Sequence, residues 1–453
     1  MTITSNDLTF SYDQNTKILD HVNLKIPARK FSLLIGPTGC GKSTLLKILA
    51  GLYPKYAGKV TGTINLGGLK TAMMFQNAGE QFTMATPREE IIFALENLQI
   101  DRSHYEERLT AGINFAQITN LLDQKINTMS GGEQQRVALA VLVAMDVDLL
   151  LLDEPFASCD PKARSFLITK LAHLRDQGKT ILLSDHILSG YRNICDHLFQ
   201  FKKQQVFEVS PTYKQQLLDV EQQQSSYSFT LPAPSENICF NLTQTELIHR
   251  RCLLQQDNLK IIAGKTTLIT GANGVGKTSL FNALTKMMPY NGSLTYHGNE
   301  LRHLKTRKYL LHVAQIFQNA RDQFLSVTVN DELALSKKQR TNHYFTDAKI
   351  AQALDYLELD NHLDQVVYSL SGGQQKKLQI LLMLIADQDV LLIDEPLNGL
   401  DHLSSQKVMH LLKESQKNRG QTLLIISHEL TGLADWCDYH LVFANQQLTY
   451  TTK

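Results

Sequence analysis

The sequence has almost no net charge and few cysteines. Its 453 residues include 45 Lys and Arg against 44 Asp and Glu, a balance that argues against broad attraction to nucleic acid or anionic lipid. The six cysteines form no close pair, and no group of histidines has the spacing of zinc ligands. These absences predict a protein of the reducing cytosol that contains neither a disulfide framework nor a zinc site.

Long hydrophobic runs are missing as well. The two longest apolar tracts, at 137–152 and 378–393, are each interrupted by two aspartates, and neither reaches the ~20 residues that a bilayer requires. The first residues have neither the basic region nor the apolar region of a signal peptide. We therefore expect a protein that is not secreted and that needs a partner for any role at a membrane.

What the chain does contain is one phosphate-binding pattern, present twice. The segments 36–44 and 271–279 both have the spacing G-x-x-x-x-G-K-[ST], after an apolar run and before a helix-like segment. This spacing directs backbone N–H groups and a helix N-terminus at phosphate, places the lysine on the outer phosphates and offers a hydroxyl to Mg²⁺. The predicted phosphate-binding residues are Gly36, Pro37, Thr38, Gly39, Cys40, Gly41, Lys42, Ser43 and Thr44, and Gly271, Ala272, Asn273, Gly274, Val275, Gly276, Lys277, Thr278 and Ser279.

Two adjacent carboxylates follow an apolar strand in each half. Asp153-Glu154 and Asp394-Glu395 should emerge at the carboxyl edge of a parallel sheet, where such folds bind ligands. Adjacent carboxylates suit a Mg²⁺ ligand followed by a general base for water. A solvated acidic pair is the alternative interpretation.

Single polar residues complete the pattern in both halves. Gln76 and Gln318 each follow a short strand and can reach toward Mg²⁺ and the γ-phosphate, although a solvated loop would look the same. His186 and His428 follow a further strand; a lone histidine is more often structural, and only the ordered context predicts a γ-phosphate contact. Tyr12, 24 residues before Gly36, can stack on adenine or simply pack at a strand end.

The motifs recur in the same order with nearly constant spacing. Equivalent residues are 235 apart at the phosphate loop and 241 or 242 apart at the later motifs, which indicates duplication of a whole α/β domain. We place the first domain at residues 1–222, a Gln-, Ser- and Pro-rich linker at 223–236 and the second domain at 237–453.

Together these motifs resemble the ATP-binding cassette (ABC) family over nearly the whole chain. The resemblance implies two P-loop ATPase domains in tandem, each with a mostly parallel core sheet, an antiparallel β subdomain and an α-helical subdomain, using ATP and Mg²⁺. It assigns general-base or γ-phosphate roles to Glu154, Glu395, His186 and His428, and Mg²⁺ contacts to Ser43, Gln76, Asp153, Thr278, Gln318 and Asp394. It also implies that the halves close head to tail, so that each signature segment caps ATP on the other half. The signature residues are Ser130, Gly131, Gly132 and Glu133, and Ser371, Gly372, Gly373 and Gln374.

Within the family, the pattern F-Q-N-x-x-x-Q-F at 75–82 and 317–324 looks like that of energy-coupling factor (ECF) importers. This likeness implies a transmembrane coupling subunit, a membrane-embedded substrate-binding subunit for a vitamin or metal ion, and uptake driven by ATP. The chain would then be peripheral to the cytoplasmic face of the cell membrane, with no nucleic-acid partner.

The sequence also departs from the family pattern. Leu242 stands where Tyr12 stands in the first half, which puts adenine stacking at the second site in question, and Glu133 replaces the usual glutamine of the signature. His186 and His428 match the switch histidine of the family. Both halves end soon after this residue, without the dimerisation extension common on separate ECF ATPases. Other open interpretations are a soluble tandem ABC protein of translation, a fused sugar-importer ATPase and an export pump.

Overall fold

The computed structural model describes residues 2–452 apart from 13–15, 158, 221–226, 250, 340–343, 429 and 431. The chain divides into two compact units, residues 1–224 and 225–453. The domain and linker boundaries proposed from the sequence stay a prediction, because 221–226 lie outside the described part. No helix within that part is long and apolar enough to cross a bilayer.

In its described residues, the first unit combines two sheets with six α-helices. Its strands are β1 (Thr2–Ser11), β2 (Lys17–Pro27), β3 (Phe31–Ile35), β4 (Lys59–Asn65), β5 (Thr71–Met74), β6 (Leu149–Asp153), β7 (Thr180–Ser184), β8 (His197–Lys202) and β9 (Gln205–Glu208). Its helices are α1 (Lys42–Leu49), α2 (Pro87–Asn97), α3 (Tyr105–Ala116), α4 (Gly131–Met145), α5 (Pro161–Asp176) and α6 (Pro211–Val220).

The larger sheet of this unit has the order β5-β6-β7-β3-β8-β9, parallel except for β9. The other sheet, β2-β1-β4, is antiparallel. All five residues of β6 are buried, as expected for a parallel strand covered on both faces. The end of β6 therefore delivers Asp153 to the carboxyl edge, next to the loop that follows β3.

The second unit repeats this arrangement with small differences. Its strands are β10 (Ile238–His249), β11 (Arg251–Ile262), β12 (Thr266–Thr270), β13 (Asn291–Tyr296), β14 (Asn299–Glu300), β15 (Val313–Ile316), β16 (Val390–Asp394), β17 (Thr422–Ile426), β18 (Tyr439–Ala444) and β19 (Gln447–Thr451). Its helices are α7 (Lys277–Leu284), α8 (Thr306–Tyr309), α9 (Val329–Gln339), α10 (Asp347–Tyr356), α11 (Gly372–Ala386) and α12 (His402–Arg419).

The core sheet of the second unit has the order β15-β16-β17-β12-β18-β19, and an antiparallel sheet has the order β11-β10-β13-β14. Both units thus have the mostly parallel core sheet, the antiparallel subdomain and the helices that the resemblance implied. This confirms the predicted fold class of two tandem P-loop ATPase domains.

Part of the segment assigned to the linker packs on the second unit. Phe229 is buried among the apolar side chains of that unit, with its ring 4.9 Å from that of His440. Its backbone N–H donates to the carbonyl of Thr452 across 3.1 Å. Glu236, further along, accepts hydrogen bonds from the Tyr439 hydroxyl.

Candidate functional site

The first phosphate loop connects β3 to α1 and wraps around Lys42. The Lys42 ammonium donates to the carbonyls of Gly36 and Pro37 across 2.8 and 3.0 Å. Gly41 has a φ of 109°, and a Cβ there would lie 2.9 Å from Cγ2 of Ile18, so only glycine fits this turn. The loop thus presents a lysine and the N-terminus of α1 together, which is the arrangement that binds phosphate.

The second phosphate loop, between β12 and α7, has the same geometry. The Lys277 ammonium donates to Gly271 and Ala272 across 2.7 and 3.0 Å. Arg251 adds a hydrogen bond from Nη2 to the Gly274 carbonyl, across 2.8 Å. No sequence motif points to Arg251, because it lies in the preceding hairpin.

The carboxylates of the first unit stand at the end of β6. Asp153 is buried, and its Oδ1 accepts from the Ser184 hydroxyl across 2.7 Å. Burial, together with the neighbouring Glu154, raises the pKa of Asp153. Such a carboxylate is stabilised in its charged form by a cation.

Glu154 is held from both sides. His186 Nε2 lies 2.7 Å from Oε1, and the amide of Gln76 donates to Oε2 across 2.8 Å. Burial alone would raise the pKa of Glu154, but His186, Lys42 and Gln76 outweigh it and the pKa is lowered. An ionised carboxylate held in this way can polarise a water molecule.

The second unit shows the same groups with different contacts. The Thr278 hydroxyl donates to Oδ2 of Asp394 across 2.8 Å, and His428 Nε2 lies 3.2 Å from Oε1 of Glu395. Burial and the adjacent Asp394 raise the pKa of Glu395 to about 8. Gln318 is exposed.

These groups fit a Mg²⁺ ion. In both units a P-loop hydroxyl bonds the first carboxylate, as Ser43 does with Asp153 and Thr278 with Asp394. Hydroxyl and carboxylate oxygens are the ligands that Mg²⁺ prefers, completed by phosphate and water. Among the described residues there is no group of three or more His, Cys, Asp and Glu that could hold a metal alone. Bound Mg²⁺ would neutralise charge on the phosphates.

The predicted adenine-stacking residue, Tyr12, lies just beyond β1. Its side chain is half exposed, its hydroxyl is 3.2 Å from Oγ1 of Thr44, and its ring meets Phe10 edge-on at 4.8 Å. The ring also meets Tyr53 edge-on at 5.8 Å, and a half-exposed aromatic ring beside the start of α1 is compatible with stacking.

The expectation that Leu242 replaces Tyr12 in the second unit is wrong. Leu242 is fully buried inside β10, opposite Leu259 and Leu294. Strand register instead matches Ile248, opposite Cys252, with Ser11, opposite Lys17. The residue that follows Ile248, the exposed His249, therefore takes the place of Tyr12.

Both signature segments start helices through a capping box. Ser130 caps α4 and Ser371 caps α11, each accepting from the backbone N–H three residues later. Glu133 Oε2 accepts from the Ser130 N–H across 2.8 Å, as Gln374 Oε1 does from Ser371 across 2.9 Å. The glutamate at 133 thus preserves the cap of α4.

The second glutamine of each F-Q-N-x-x-x-Q-F pattern closes its own loop. Gln81 accepts from the Phe75 N–H across 2.7 Å and donates to the Met73 carbonyl across 3.0 Å. Gln323 makes the equivalent bonds to Phe317 and Gln315. Both glutamines therefore fix the shape of the loops that carry Gln76 and Gln318.

A buried ion pair supports His186 in the first unit. Arg164 of α5 donates to Oδ2 of Asp185 across 3.0 Å and to the carbonyl of Ile187 across 2.6 Å. The Tyr191 hydroxyl also donates to Asp185 across 2.7 Å. The corresponding residues of the second unit are Ser405 and Ser427.

Within each unit, the structure gathers the P-loop lysine and hydroxyl, the two carboxylates and the histidine at the carboxyl edge of the core sheet. In the first unit the glutamine joins them. The signature residues bond one another at a helix start instead. The nucleotide-binding role of each of these residues stays a prediction.

Comparison with known proteins places these observations in a family. The family model described as ABC transporter matches residues 19–157 and 254–398, more than half of the chain. A Bacillus subtilis (strain 168) protein named "Putative HMP/thiamine import ATP-binding protein YkoD" is 28% identical, with 99% of this chain and 91% of that protein covered. A Methanosarcina mazei "Putative ABC transporter ATP-binding protein" is also 28% identical, over 92% of this chain and 88% of that protein.

Solved structures show the same fold at lower identity. "Model of ribosome-bound archaeal Pelota and ABCE1" aligns with a TM-score of 0.74 at 18% identity, over 98% of this chain and 78% of that one. "RNase-L Inhibitor" aligns with a TM-score of 0.64 at 21% identity, over 96% and 87%. At these identities the likeness concerns the fold alone.

Proposed function

Because the chain belongs to the ABC transporter family, whose cassettes hydrolyse ATP, we propose that it is the ATPase subunit of an ECF-type importer for a vitamin or metal ion. We call residues 75–82 and 317–324, which contain Gln76 and Gln318, the glutamine loops of the two units. The observation that carries this proposal is an apolar surface directly after the second glutamine loop. Leu325, Val327, Val366 and Tyr368 form this surface, which we call the apolar patch; Leu325 is 82% and Val327 63% exposed.

Backbone pairing holds the two segments of the apolar patch side by side. Thr328 forms a β-bridge with Val366, and the Val367 N–H donates to the Val327 carbonyl across 2.9 Å. Exposed apolar patches of this kind mark interaction surfaces. The partner that we propose is an apolar helix of the transmembrane coupling subunit, which in turn carries the membrane-embedded substrate-binding subunit.

The first unit has a more polar surface at the same place. Thr83, Ala85, Lys125 and Asn127 occupy the positions of Leu325, Val327, Val366 and Tyr368, and the Ile126 N–H again donates to the Ala85 carbonyl. We propose that both surfaces contact the coupling subunit and that the apolar patch contributes more of the binding energy, since burial of apolar area drives most association.

For the catalytic cycle we propose head-to-tail closure of the two units on ATP. Ser371 to Gln374 would cap the nucleotide held by Lys42, and Ser130 to Glu133 the nucleotide held by Lys277. Glu154 and Glu395 would take the proton of the attacking water, and His186 and His428 would hold the γ-phosphate. Positioning and charge neutralisation of this kind account for most of phosphoryl-transfer catalysis.

A tandem ABC protein of translation is the alternative function. Structures with ribosomal partners share the fold at 18–21% identity, which carries no partner over to this chain. The name of the Bacillus subtilis relative, covered over 91% of its length, supports import, and we propose that the chain lies at the inner face of the membrane through its partners.

Copurification distinguishes the two functions. A tagged chain extracted with detergent from its own cells should retain an integral membrane subunit. The combined variant Leu325→Ser and Val327→Ser should reduce that subunit by about tenfold, the effect of losing ~1.4 kcal/mol of binding energy. The control Leu311→Ser alters another exposed leucine, at the opposite end of β15, and should not reduce it. Recovery of ribosomal components, or an undiminished membrane subunit in the patch variant, would contradict the proposal.

A further inference from the structure

Two adjacent lysines of α11 are buried. Lys376 is 3% and Lys377 4% exposed, although lysine is rarely buried without partners for its ammonium group. Burial lowers the pKa of Lys376 to about 8, against the opposing effect of Asp394 and Glu395. No sequence motif singled out either lysine.

The ammonium of Lys376 joins three parts of the second unit. It donates to the carbonyls of Phe317, Gln318 and Asp394 across 3.1, 3.2 and 3.4 Å. An ammonium group has three donors, so the three carbonyls match its capacity. Phe317 and Gln318 begin the glutamine loop, and Asp394 ends β16 immediately before Glu395.

One turn further along α11, Gln379 reinforces the same connection. Its amide donates to the Phe317 carbonyl across 3.0 Å and to Oε1 of Gln323 across 2.7 Å. The helix that starts at the signature residue Ser371 therefore holds the glutamine loop through two side chains that lie one turn apart.

The first unit holds its glutamine loop by other means. Gln135 takes the position of Lys376, and its Oε1 accepts from the Cys159 thiol across 3.5 Å. There the loop reaches the catalytic glutamate directly, through the bond from Gln76 to Glu154. In the first unit these bonds thus connect the glutamine loop to the residue after β6, and α4 to Cys159.

We propose that Lys376 is a positioning residue for the second ATP site, one that fixes the glutamine loop against β16 so that Gln318 and Glu395 face the same nucleotide. Because Lys376 lies on the signature helix, it also ties the orientation of Ser371 to Gln374 to that loop. The proposal rests on the ATPase activity of the family and not on the identity of a membrane partner.

The test compares Lys376→Met with Lys377→Met in the full chain. Lys377 is a matched control, since it lies on the same helix and is equally buried. Its ammonium donates to the Leu357 carbonyl at the end of α10, across 2.6 Å, as Arg136 does to Ala116 in the first unit. Both variants lose one buried ammonium group, but only Lys376→Met releases the glutamine loop.

Hydrogen exchange reports the loop without requiring activity. Lys376→Met should speed amide exchange in 317–324 by about fivefold or more, as local opening becomes easier. The equivalent segment 75–82 should keep its exchange rate, and Lys377→Met should leave 317–324 unchanged. In Lys376→Arg, amide exchange in 317–324 should be as slow as in wild type, because arginine keeps a charged donor. Unchanged exchange in Lys376→Met, or equal acceleration in Lys377→Met, would overturn the proposal.

Turnover separates positioning from stability. For Lys376→Met we expect kcat to fall to about half or less, and the KM for ATP to stay within about twofold, the pattern of a loss confined to the transition state. Faster exchange in the loop with an unchanged kcat would show that Lys376 only stabilises the loop, and would refute its positioning role. If Lys376→Met does not fold, Lys376→Gln, with the residue of the first unit, serves instead. An inactive wild-type chain would refute the ATPase function, while exchange would still test the contact.

Discussion

The side-chain amide of Gln76 donates a 2.8 Å hydrogen bond to Oε2 of Glu154. His186 holds the other carboxylate oxygen at 2.7 Å, so the glutamate has a fixed orientation at the edge of the sheet. In the second unit His428 lies 3.2 Å from Glu395. The proposed general base is therefore supported differently in the two units, and variants of each can be compared within one chain.

Loss of both proposed general bases should separate binding from hydrolysis. The variant Glu154→Gln with Glu395→Gln should bind ATP, because Asp153 and Asp394 remain, but its rate of hydrolysis should fall by about a hundredfold or more. Phosphate release and retained ATP are the two measurements. The exposed Glu208→Gln is a control that should hydrolyse normally. Substantial turnover in the double variant would rule out these glutamates as the bases.

Head-to-tail closure predicts that a signature serine acts on the phosphate loop of the other unit. In a chain whose second phosphate loop is silenced by Lys277→Ala, Ser371→Ala should slow hydrolysis at the site of Lys42 by about a hundredfold, the scale of losing one preorganised donor. The comparison is Ser369→Ala, which removes a nearby exposed hydroxyl. Equal behaviour of the two serine variants, in trapped nucleotide and in phosphate release, would favour two independent ATPases.

Nucleotide affinity should differ between the two sites. Tyr12 offers a larger aromatic face than His249, so Tyr12→Ala should weaken binding at the first site by about fivefold, equivalent to ~1 kcal/mol. His249→Ala should have the smaller effect at the second site. Titration of Lys42→Ala and Lys277→Ala chains isolates each site, and the one at Lys277 should be weaker. Equal affinities would exclude this explanation.

Leu242 should contribute to stability and not to nucleotide binding. Because it is fully buried between two neighbouring strands, Leu242→Ala should lower the free energy of unfolding of the second unit by about 2–5 kcal/mol. Denaturant unfolding measures this loss, and ATP titration of the folded variant should match wild type. A drop in affinity as large as that of His249→Ala would show that the register assignment is mistaken.

The error over Leu242 shows where sequence reasoning fails. Spacing identifies the phosphate loops because a tight turn around phosphate allows almost no variation in length. Hairpins tolerate insertions and deletions. Five residues separate the paired Ser11 and Lys17 in the first hairpin, whereas three separate Ile248 and Cys252, the equivalent pair of the second. Counting back from the phosphate loop therefore could not identify His249.

Other parts of the site were hidden for a different reason. The capping box of Thr86 and Glu89 that starts α2 can be recognised in the sequence, since local motifs depend only on neighbours in sequence. The contacts of Lys376 with Phe317 and Asp394 join residues 59 and 18 positions apart, and no local pattern encodes them. Order and spacing were thus sufficient to predict the fold, whereas the contacts that support each proposed catalytic group are visible only in the three-dimensional structure.

Because of the ion pair between Arg164 and Asp185, segments of the two halves of the chain cannot be exchanged freely. Breaking a buried pair by removing one partner costs about 3–5 kcal/mol, so neither residue can be exchanged singly for the serine that stands at 405 or 427 in the other half. A change at only one of the two positions would leave a buried charge without its partner. After the ancestral duplication, the two copies could therefore have diverged here only if both positions changed together. A chimera that transplants the strand before a switch histidine must therefore carry the matching helix with it.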